Sequence, residues 1–194
     1  MGIGDITYET AGVSINAQNK VNTQVLKILK ANGMRAEGFF GGAVSIPPQM
    51  MSLEKRFIGI SGSSLEDRDD ARVAGRLTAS NAFSNMPNGA KPLAALDYFA
   101  SPDMDDNVPH FVEGVARSCI DNHIPVIGGE SAQMPGTYKE GRRDAFVHII
   151  YCSGSEISTE VVDIIPLIRG MKTPLLVGST DGVGTKTRIV KNAA

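Results

Sequence analysis

The chain has 194 residues, 42% of them hydrophobic, and a formal net charge of −2 at pH 7. This length is sufficient to bury one substantial core, so we expect residues 1–194 to form a single domain. The near-neutral charge and the lack of a basic run argue against nucleic-acid binding, and no apolar stretch approaches the ~20 residues of a membrane span. No secretory signal pattern is present, and Cys119 and Cys152 fall on apolar segments as expected for buried thiols. The sequence therefore predicts a cytoplasmic protein.

Helical and strand-like apolar patterns alternate along the chain, which predicts an α/β (α+β) fold with a mixed sheet covered by helices. Helices are predicted over residues 16–32, 69–83, 107–122 and 155–165. Strands are predicted over residues 57–60, 93–100, 124–127, 145–152 and 174–178, with a polar turn at residues 61–64. The glycine- and proline-rich residues 38–51 are expected to form either a plain connecting loop or a flap over a ligand.

The last predicted strand leads into the most informative motif of the chain, Ser179-Thr-Asp-Gly-Val-Gly-Thr-Lys186. Glycines let the backbone approach a ligand closely, and successive N–H groups in such a turn form a concave anion site. Asp181 offers a hard oxygen ligand for Mg²⁺, and Lys186 offers a positive charge for phosphate. The motif predicts a nucleotide-phosphate and magnesium site, although a glycine-rich turn with one solvated lysine has the same composition.

A second glycine-rich motif follows the strand predicted at residues 124–127. It reads Gly128-Gly-Glu-Ser-Ala-Gln-Met-Pro-Gly-Thr-Tyr138 and is expected to place Glu130 at the carboxyl end of that strand. Ligands of open α/β sheets bind at such strand ends. Two strand-end loops that each pair glycines with a carboxylate are harder to explain as plain turns than one such loop.

These two motifs resemble signatures of aminoimidazole ribonucleotide synthetase, also called phosphoribosylformylglycinamidine cyclo-ligase. Three further stretches are similar to the N-terminal segment of that family, its central strand and the helix before the Gly-Gly-Glu loop. They are Tyr8-Glu-Thr-Ala-Gly-Val13, Gly89-Ala-Lys-Pro-Leu-Ala-Ala-Leu-Asp-Tyr-Phe-Ala100 and Val112-Glu-Gly-Val-Ala116. The resemblance is strongest to the N-terminal domain of the family.

The chain also departs from the family pattern in three ways. The Asp-Gly-Val-Gly-Thr-Lys loop closes this chain, whereas in the family it precedes the central strand and would follow Gly41-Gly-Ala43. Residues 79–85 lack the aspartates that the family carries before the central strand. The second domain of the family is absent from this sequence. A rearranged chain and a divergent stand-alone domain both fit these departures.

The resemblance implies ATP-dependent cyclisation of formylglycinamidine ribonucleotide to aminoimidazole ribonucleotide in purine biosynthesis. It implies that Asp181 holds Mg²⁺ and that four residues of the same loop hold the phosphates of ATP: Gly182, Gly184, Thr185 and Lys186. It also implies that Asp97 and Glu130 assist the metal or orient the substrate, with their individual roles open. In the family, two such domains pack their sheets into a dimeric barrel, so a homodimer is expected.

The alternative function is a non-catalytic nucleotide-binding and dimerisation domain of the same superfamily. Asp97 interrupts an apolar strand, and a carboxylate there needs a partner, a cation or access to water. The three histidines, at positions 110, 123 and 148, do not have the spacing of metal ligands. His148 alternates with apolar neighbours and is expected to face solvent or a subunit interface.

Overall fold

The computed structural model describes residues 7–34, 41–48, 57–66, 68–154, 162–163, 171 and 175–179. The helices within these residues are α1 (Ile15–Ala31), α2 (Ala71–Ser84) and α3 (Asn107–Asp121). The strands are β1 (Gly41–Ser45), β2 (Phe57–Ser64), β3 (Lys91–Ser101), β4 (Val126–Gln133), β5 (Asp144–Ser153), β6 (Val162–Asp163) and β7 (Leu175–Ser179).

Five of the strands form one mixed sheet in the order β4-β3-β5-β2-β6. Strands β3 and β4 are parallel and are joined through α3, while the other pairs are antiparallel. Strands β1 and β7 form a separate antiparallel pair. The predicted α/β class, with a mixed sheet covered by helices, is confirmed.

Local sequence explains where two of the helices begin. The hydroxyl of Ser14 accepts a hydrogen bond from the backbone N–H of Ala17 at the start of α1. The carboxylate of Asp70 accepts from the N–H groups of Arg72 and Val73 at the start of α2. Such side chains satisfy N–H groups that have no partner inside the helix. As predicted, α1 ends just before Gly33, whose positive φ of 73° suits glycine.

The two faces of the large sheet have different surroundings. On one face, alternate residues of β3 and β5, such as Ala95, Phe99 and Val147, join the three helices in the main core. The rings of Phe99 and Phe111 lie 5.2 Å apart between sheet and helix. The opposite face, which we call the open face, is partly covered by β1 and β7. A smaller apolar cluster forms there around Ile46, Leu93 and Cys152.

Several elements differ from the sequence prediction because strand pairing outweighs local composition. The predicted turn at residues 61–64 is the second half of β2, which pairs with β5 over its whole length. Gly128 and Gly129 of the second motif lie inside β4, paired with β3. Part of the predicted loop at residues 38–51 is β1, which pairs with β7. The helix predicted over residues 155–165 is wrong at Val162–Asp163, which pair with β2, and its other residues lie outside the described ranges.

Helices α2 and α3 cross at glycines that allow their backbones to touch. A Cβ at Gly75 would overlap the carbonyl oxygen of Phe111, and a Cβ at Gly114 would overlap that of Arg72. Backbone carbonyls cannot move aside without bending a helix. The Arg72 guanidinium also donates to Glu113 at 2.8 Å across the same crossing. The helix layer over the sheet therefore depends on this crossing.

We expect Gly114→Ala to destabilise the fold by about 1–3 kcal/mol, because the methyl group overpacks the crossing by more than alanine gains in helix propensity. Urea unfolding measures the effect. Val73→Ala on α2 is the matched control, since Val73 is exposed and its truncation changes stability little. An unchanged or higher unfolding midpoint for Gly114→Ala would show that the helices separate at no cost.

Candidate functional site

Glu130 lies on the open face, within a small group of acidic and phenolic side chains. Its register partner on β3 is Tyr98, whose hydroxyl donates to the sulfur of Met134 at 3.6 Å. Burial raises the pKa of Tyr98 to about 12. The nearby acidic groups of Tyr138, Glu130 and Asp144 add to that rise. Burial, together with the charge of Asp144 and a hydrogen bond to it, also raises the pKa of Tyr138. The second motif thus contributes both Glu130 and Tyr138 to one group.

Asp97 lies on the other face of the same sheet, towards the helices. Its neighbours along β3, Ala95 and Phe99, belong to the main core, as does Val147, its register partner on β5. Only 5% of Asp97 is exposed. Burial raises the pKa of its carboxyl to about 7, although a hydrogen bond with its own backbone amide opposes the rise. Burial, and to a lesser degree the charge of Asp97, raises the pKa of the Cys119 thiol on α3.

The structure therefore separates the two carboxylates that the sequence placed together. Asp97 lies near the middle of β3, and Glu130 lies near the middle of β4 and not at the strand end that the sequence predicted. They face opposite sides of the sheet because the register partner of Asp97 is Gly129, and adjacent residues of a strand point to opposite faces. One cation cannot bind both. No group of three His, Cys, Asp or Glu side chains suited to a metal occurs within the described ranges.

Residues 180–186 of the first motif, which include Asp181, Gly182, Gly184, Thr185 and Lys186, lie outside the described residues. The strand that leads into it, β7, is described and lies on the open face. A Cβ at Gly178 would come within 3.2 Å of Ile150, 3.3 Å of Leu96 and 3.6 Å of Ile127. Ile127 lies three residues before Glu130 on β4. Thus β7 crosses the sheet close to the strand that carries Glu130.

The pairing of β1 with β7 also bears on the altered motif order. Gly41 is the register partner of Ser179, the residue just before Thr180. A Cβ at Gly42 would overlap the backbone of Ile127, so β1 closely approaches β4 as well. In the family pattern the Gly41-Gly-Ala43 stretch leads directly into the Asp-Gly loop. Here the stretch and the strand before the loop are neighbours in space although they are distant in sequence.

Gln133 joins the N-terminal segment to the end of β4. Its side-chain oxygen accepts from the N–H of Ser14 at 2.9 Å, and its side-chain nitrogen donates to the carbonyls of Pro102 at 3.3 Å and Gly12 at 3.5 Å. A Cβ at Gly12 would lie 3.3 Å from the Pro135 ring. The Tyr8–Val13 stretch therefore packs beside the second motif. Gln133 is part of the second motif, but no pattern in the sequence indicates this bridging role.

A stabilising bond between α1 and the outer edge of β4 extends this contact. Gln18 donates through its side-chain nitrogen to the carbonyl of Ser131 at 2.8 Å. Because β4 is at one end of the sheet order, this carbonyl belongs to an edge strand. The N-terminal segment and α1 are thus fixed along the strand that carries Glu130.

The open face also carries an apolar and aromatic surface. Ile60 is 62% exposed, and the rings of Phe146 and His148 lie 4.4 Å apart. Burial lowers the pKa of His148, which is half-buried. Both cysteines are buried, as predicted. None of the three described helices has the length and apolar character needed to cross a bilayer.

Residues 58–153 match the N-terminal domain of the AIR synthase related proteins. The matched range holds β2 to β5, α2 and α3, including Asp97 and Glu130. This part of the chain is therefore similar to the AIR synthase related proteins.

Curated proteins similar to this chain include the cyclo-ligases expected from the motifs. Phosphoribosylformylglycinamidine cyclo-ligase of Prochlorococcus marinus is 34% identical over 148 residues, which cover 71% of this chain and 42% of the relative. A bifunctional purine biosynthetic protein of Schizosaccharomyces pombe is 33% identical over 156 residues, covering 72% of this chain and 19% of that protein. The predicted resemblance is confirmed, and the chain spans less than half the length of these relatives.

Among solved structures, thiamine-monophosphate kinase from Stenotrophomonas maltophilia aligns with a TM-score of 0.48 at 14% sequence identity. The alignment covers 68% of this chain and 42% of that chain.

The buried Asp97 carboxyl predicts an unusual dependence of stability on pH. Its pKa is about 7 in the folded chain and 3.8 ordinarily, so folding favours its neutral form. The resulting stability is complete below pH 3.8 and is lost as pH rises through 7. Between these limits we expect a loss on the order of 4 kcal/mol attributable to this group.

The Asp97→Asn variant should remove this loss, because the carboxamide does not ionise. Urea unfolding of wild type and variant across this pH range measures the difference between them. Asp69→Asn, which changes an exposed carboxyl, is the control and should leave the wild-type profile unchanged. Parallel profiles for wild type and Asp97→Asn would mean that Asp97 is solvated in the folded chain.

Proposed function

We propose that residues 1–194 form one domain that binds ATP and Mg²⁺ and corresponds to the N-terminal half of a cyclo-ligase. In this proposal the domain takes part in closing the ring of formylglycinamidine ribonucleotide to give aminoimidazole ribonucleotide, in the cytoplasm. The position of β7 carries the proposal. This strand leads into the Asp-Gly-Val-Gly-Thr-Lys motif and crosses the open face close to the strand that holds Glu130. The curated cyclo-ligase relatives support the same reaction.

The proposed roles follow from the chemistry of the side chains. Asp181 holds Mg²⁺, and Gly182, Gly184, Thr185 and Lys186 hold phosphates. The metal neutralises phosphate charge during phosphoryl transfer. Glu130, on the open face, is the described carboxylate suited to complete the metal site or to orient the substrate.

The reaction requires two events at neighbouring atoms. An amide oxygen of the substrate takes the terminal phosphoryl group of ATP, and ADP departs. A nearby substrate nitrogen then attacks the activated carbon, and phosphate departs as the ring closes. Holding the reacting atoms close together and excluding water account for most of such catalysis. Asp97 faces away from this chemistry and acts on it through β4.

A non-catalytic nucleotide-binding and dimerisation domain is the second candidate. Its support is the partial length of the match, which reaches only 42% of the cyclo-ligase relative. ATP-dependent turnover of formylglycinamidine ribonucleotide by this chain distinguishes the two candidates. Turnover above that of the Glu130→Gln variant supports the cyclo-ligase. Nucleotide binding without turnover supports the second candidate, and the lack of binding contradicts both.

We expect Mg²⁺ to tighten ATP binding, and Asp181→Asn to remove most of this gain because the amide is a poorer ligand for a hard cation. Calorimetric titration with and without Mg²⁺ measures both effects. Asp105→Asn is the control, since Asp105 is an exposed carboxylate at the start of α3. Equal ATP affinity in the presence and absence of Mg²⁺ would rule out the proposed metal site.

We also propose that two copies of the chain associate through their open faces. Exposed apolar surface on a sheet, here centred on Ile60, is typical of an interface, and a two-fold symmetric pair buries it on both copies. The resemblance to the family, with its dimeric barrel, supports the same arrangement.

The Ile60→Glu variant should be monomeric, because each interface would then bury two charges without partners. Light scattering gives the mass of wild type and variant. Ile15→Glu is the matched control, because Ile15 is 47% exposed but lies at the start of α1 on the helical side. A monomeric wild type, or a dimer that survives Ile60→Glu, would contradict this interface.

A further inference from the structure

The space beside Gly129 is filled by the side chain of Asp97. A Cβ at Gly129 would overlap the Asp97 carboxylate oxygen and lie 2.8 Å from both its Cγ and its backbone carbonyl oxygen. Gly129 lies within the extended strand β4 and has no positive φ. Position 129 is therefore a glycine because the Asp97 carboxyl group occupies the space of a Cβ, and not because the backbone turns there.

The sheet pairing is irregular next to this contact. Ala95 pairs with Val126, but Leu96 pairs with Gly128, so β4 carries one extra residue at this point. After an irregularity of this kind, the register of the following residues has to be fixed by side-chain fit. Asp97 and Gly129 are the first pair after it whose side-chain positions face the helices.

The register at this point decides where Glu130 lies. A slip of one residue exchanges the two faces of a strand, because the side-chain period is two. Such a slip would turn Glu130 into the main core, where it would have to lose its water. In the observed register Glu130 is opposite Tyr98 on the open face.

We propose that Asp97 is a positioning residue that fixes the register of β4 through Gly129 and thereby holds Glu130 on the open face. Asp97 itself does not touch nucleotide, metal or substrate. Its surroundings support this role, because Ala95, Phe99, Val147 and Cys119 are all fully buried on the same side of the sheet. The functional part of the inference rests on the proposed ligand site at Glu130, whereas the contact with Gly129 does not.

A double-mutant cycle on unfolding tests the contact. At pH 4, where the Asp97 carboxyl is neutral in the folded chain, Gly129→Ala should lower the urea midpoint strongly, and Asp97→Ala should lower it as well. In the double variant the new methyl group occupies the space that the carboxylate leaves. The double variant should therefore recover about half or more of the loss caused by Gly129→Ala, limited by the remaining backbone contact. Strictly additive losses would overturn the contact as the reason for the glycine.

Hydrogen exchange tests whether the effect is local. In Asp97→Ala, amides of β4 should exchange about tenfold faster relative to those of the β2–β5 pair, which serves as the internal reference. Asp97→Asn keeps the shape of the side chain and should keep β4 protected. Equal acceleration of both regions in Asp97→Ala would indicate general destabilisation and would contradict a positioning role.

Ligand affinity separates positioning from direct contact. For Mg²⁺ and ATP, Asp97→Asn should bind within about twofold of wild type, while Glu130→Gln should bind clearly more weakly. Loss of the Mg²⁺-dependent gain in Asp97→Asn to the same extent as in Glu130→Gln would show that Asp97 contacts the ligand and would overturn the inference. If the wild-type chain binds no nucleotide, the proposed function fails, and the unfolding cycle and hydrogen exchange still decide the role of Asp97.

Discussion

The close crossing of α2 and α3 is the constraint on which the rest of the structure depends. Each helix approaches the backbone of the other at a glycine, Gly75 on α2 and Gly114 on α3. This proximity lets both helices lie over the same few strands and bury one continuous core. Because α3 also joins β3 to β4, its position sets the parallel pairing that places Asp97 beside Gly129 and Tyr98 beside Glu130. The arrangement on the open face thus depends on packing on the helical face.

The three described helices and the cores of β2, β3, β5 and β7 could be predicted from the sequence because their signals are local. A helix beginning at Ser14 and ending before Gly33 needs only capping residues and an apolar period. Strand β1 and the second halves of β2 and β4 could not be predicted in this way. Their glycine and serine residues favour turns, and only pairing with strands distant in sequence makes them extended.

In the candidate site, too, the positions of side chains depend on strand pairing that local sequence does not reveal. The sequence identified Asp97 and Glu130 as unusual carboxylates, and both lie on adjacent strands of one sheet. Which face each carboxylate occupies depends on a register that includes an irregularity between Ala95 and Leu96. No local pattern encodes such an irregularity. The bridging role of Gln133 was overlooked for a related reason. Its partners Pro102 and Ser14 lie 31 and 119 residues away along the chain.

The edge position of β4 has a consequence for the behaviour of the chain in solution. An edge strand offers unpaired backbone groups to any other extended chain, which is a common route to aggregation. Here Gln18 of α1 donates to the Ser131 carbonyl of β4, and Gln133 of β4 accepts from the N–H of Ser14. These bonds hold α1 and the N-terminal segment along that edge. Both side chains bond to main-chain groups, so they protect the edge without adding a further strand. A protease cut near Gly12 would free the residues before it, so that only Ser14 and Gln18 would still hold the chain along this edge.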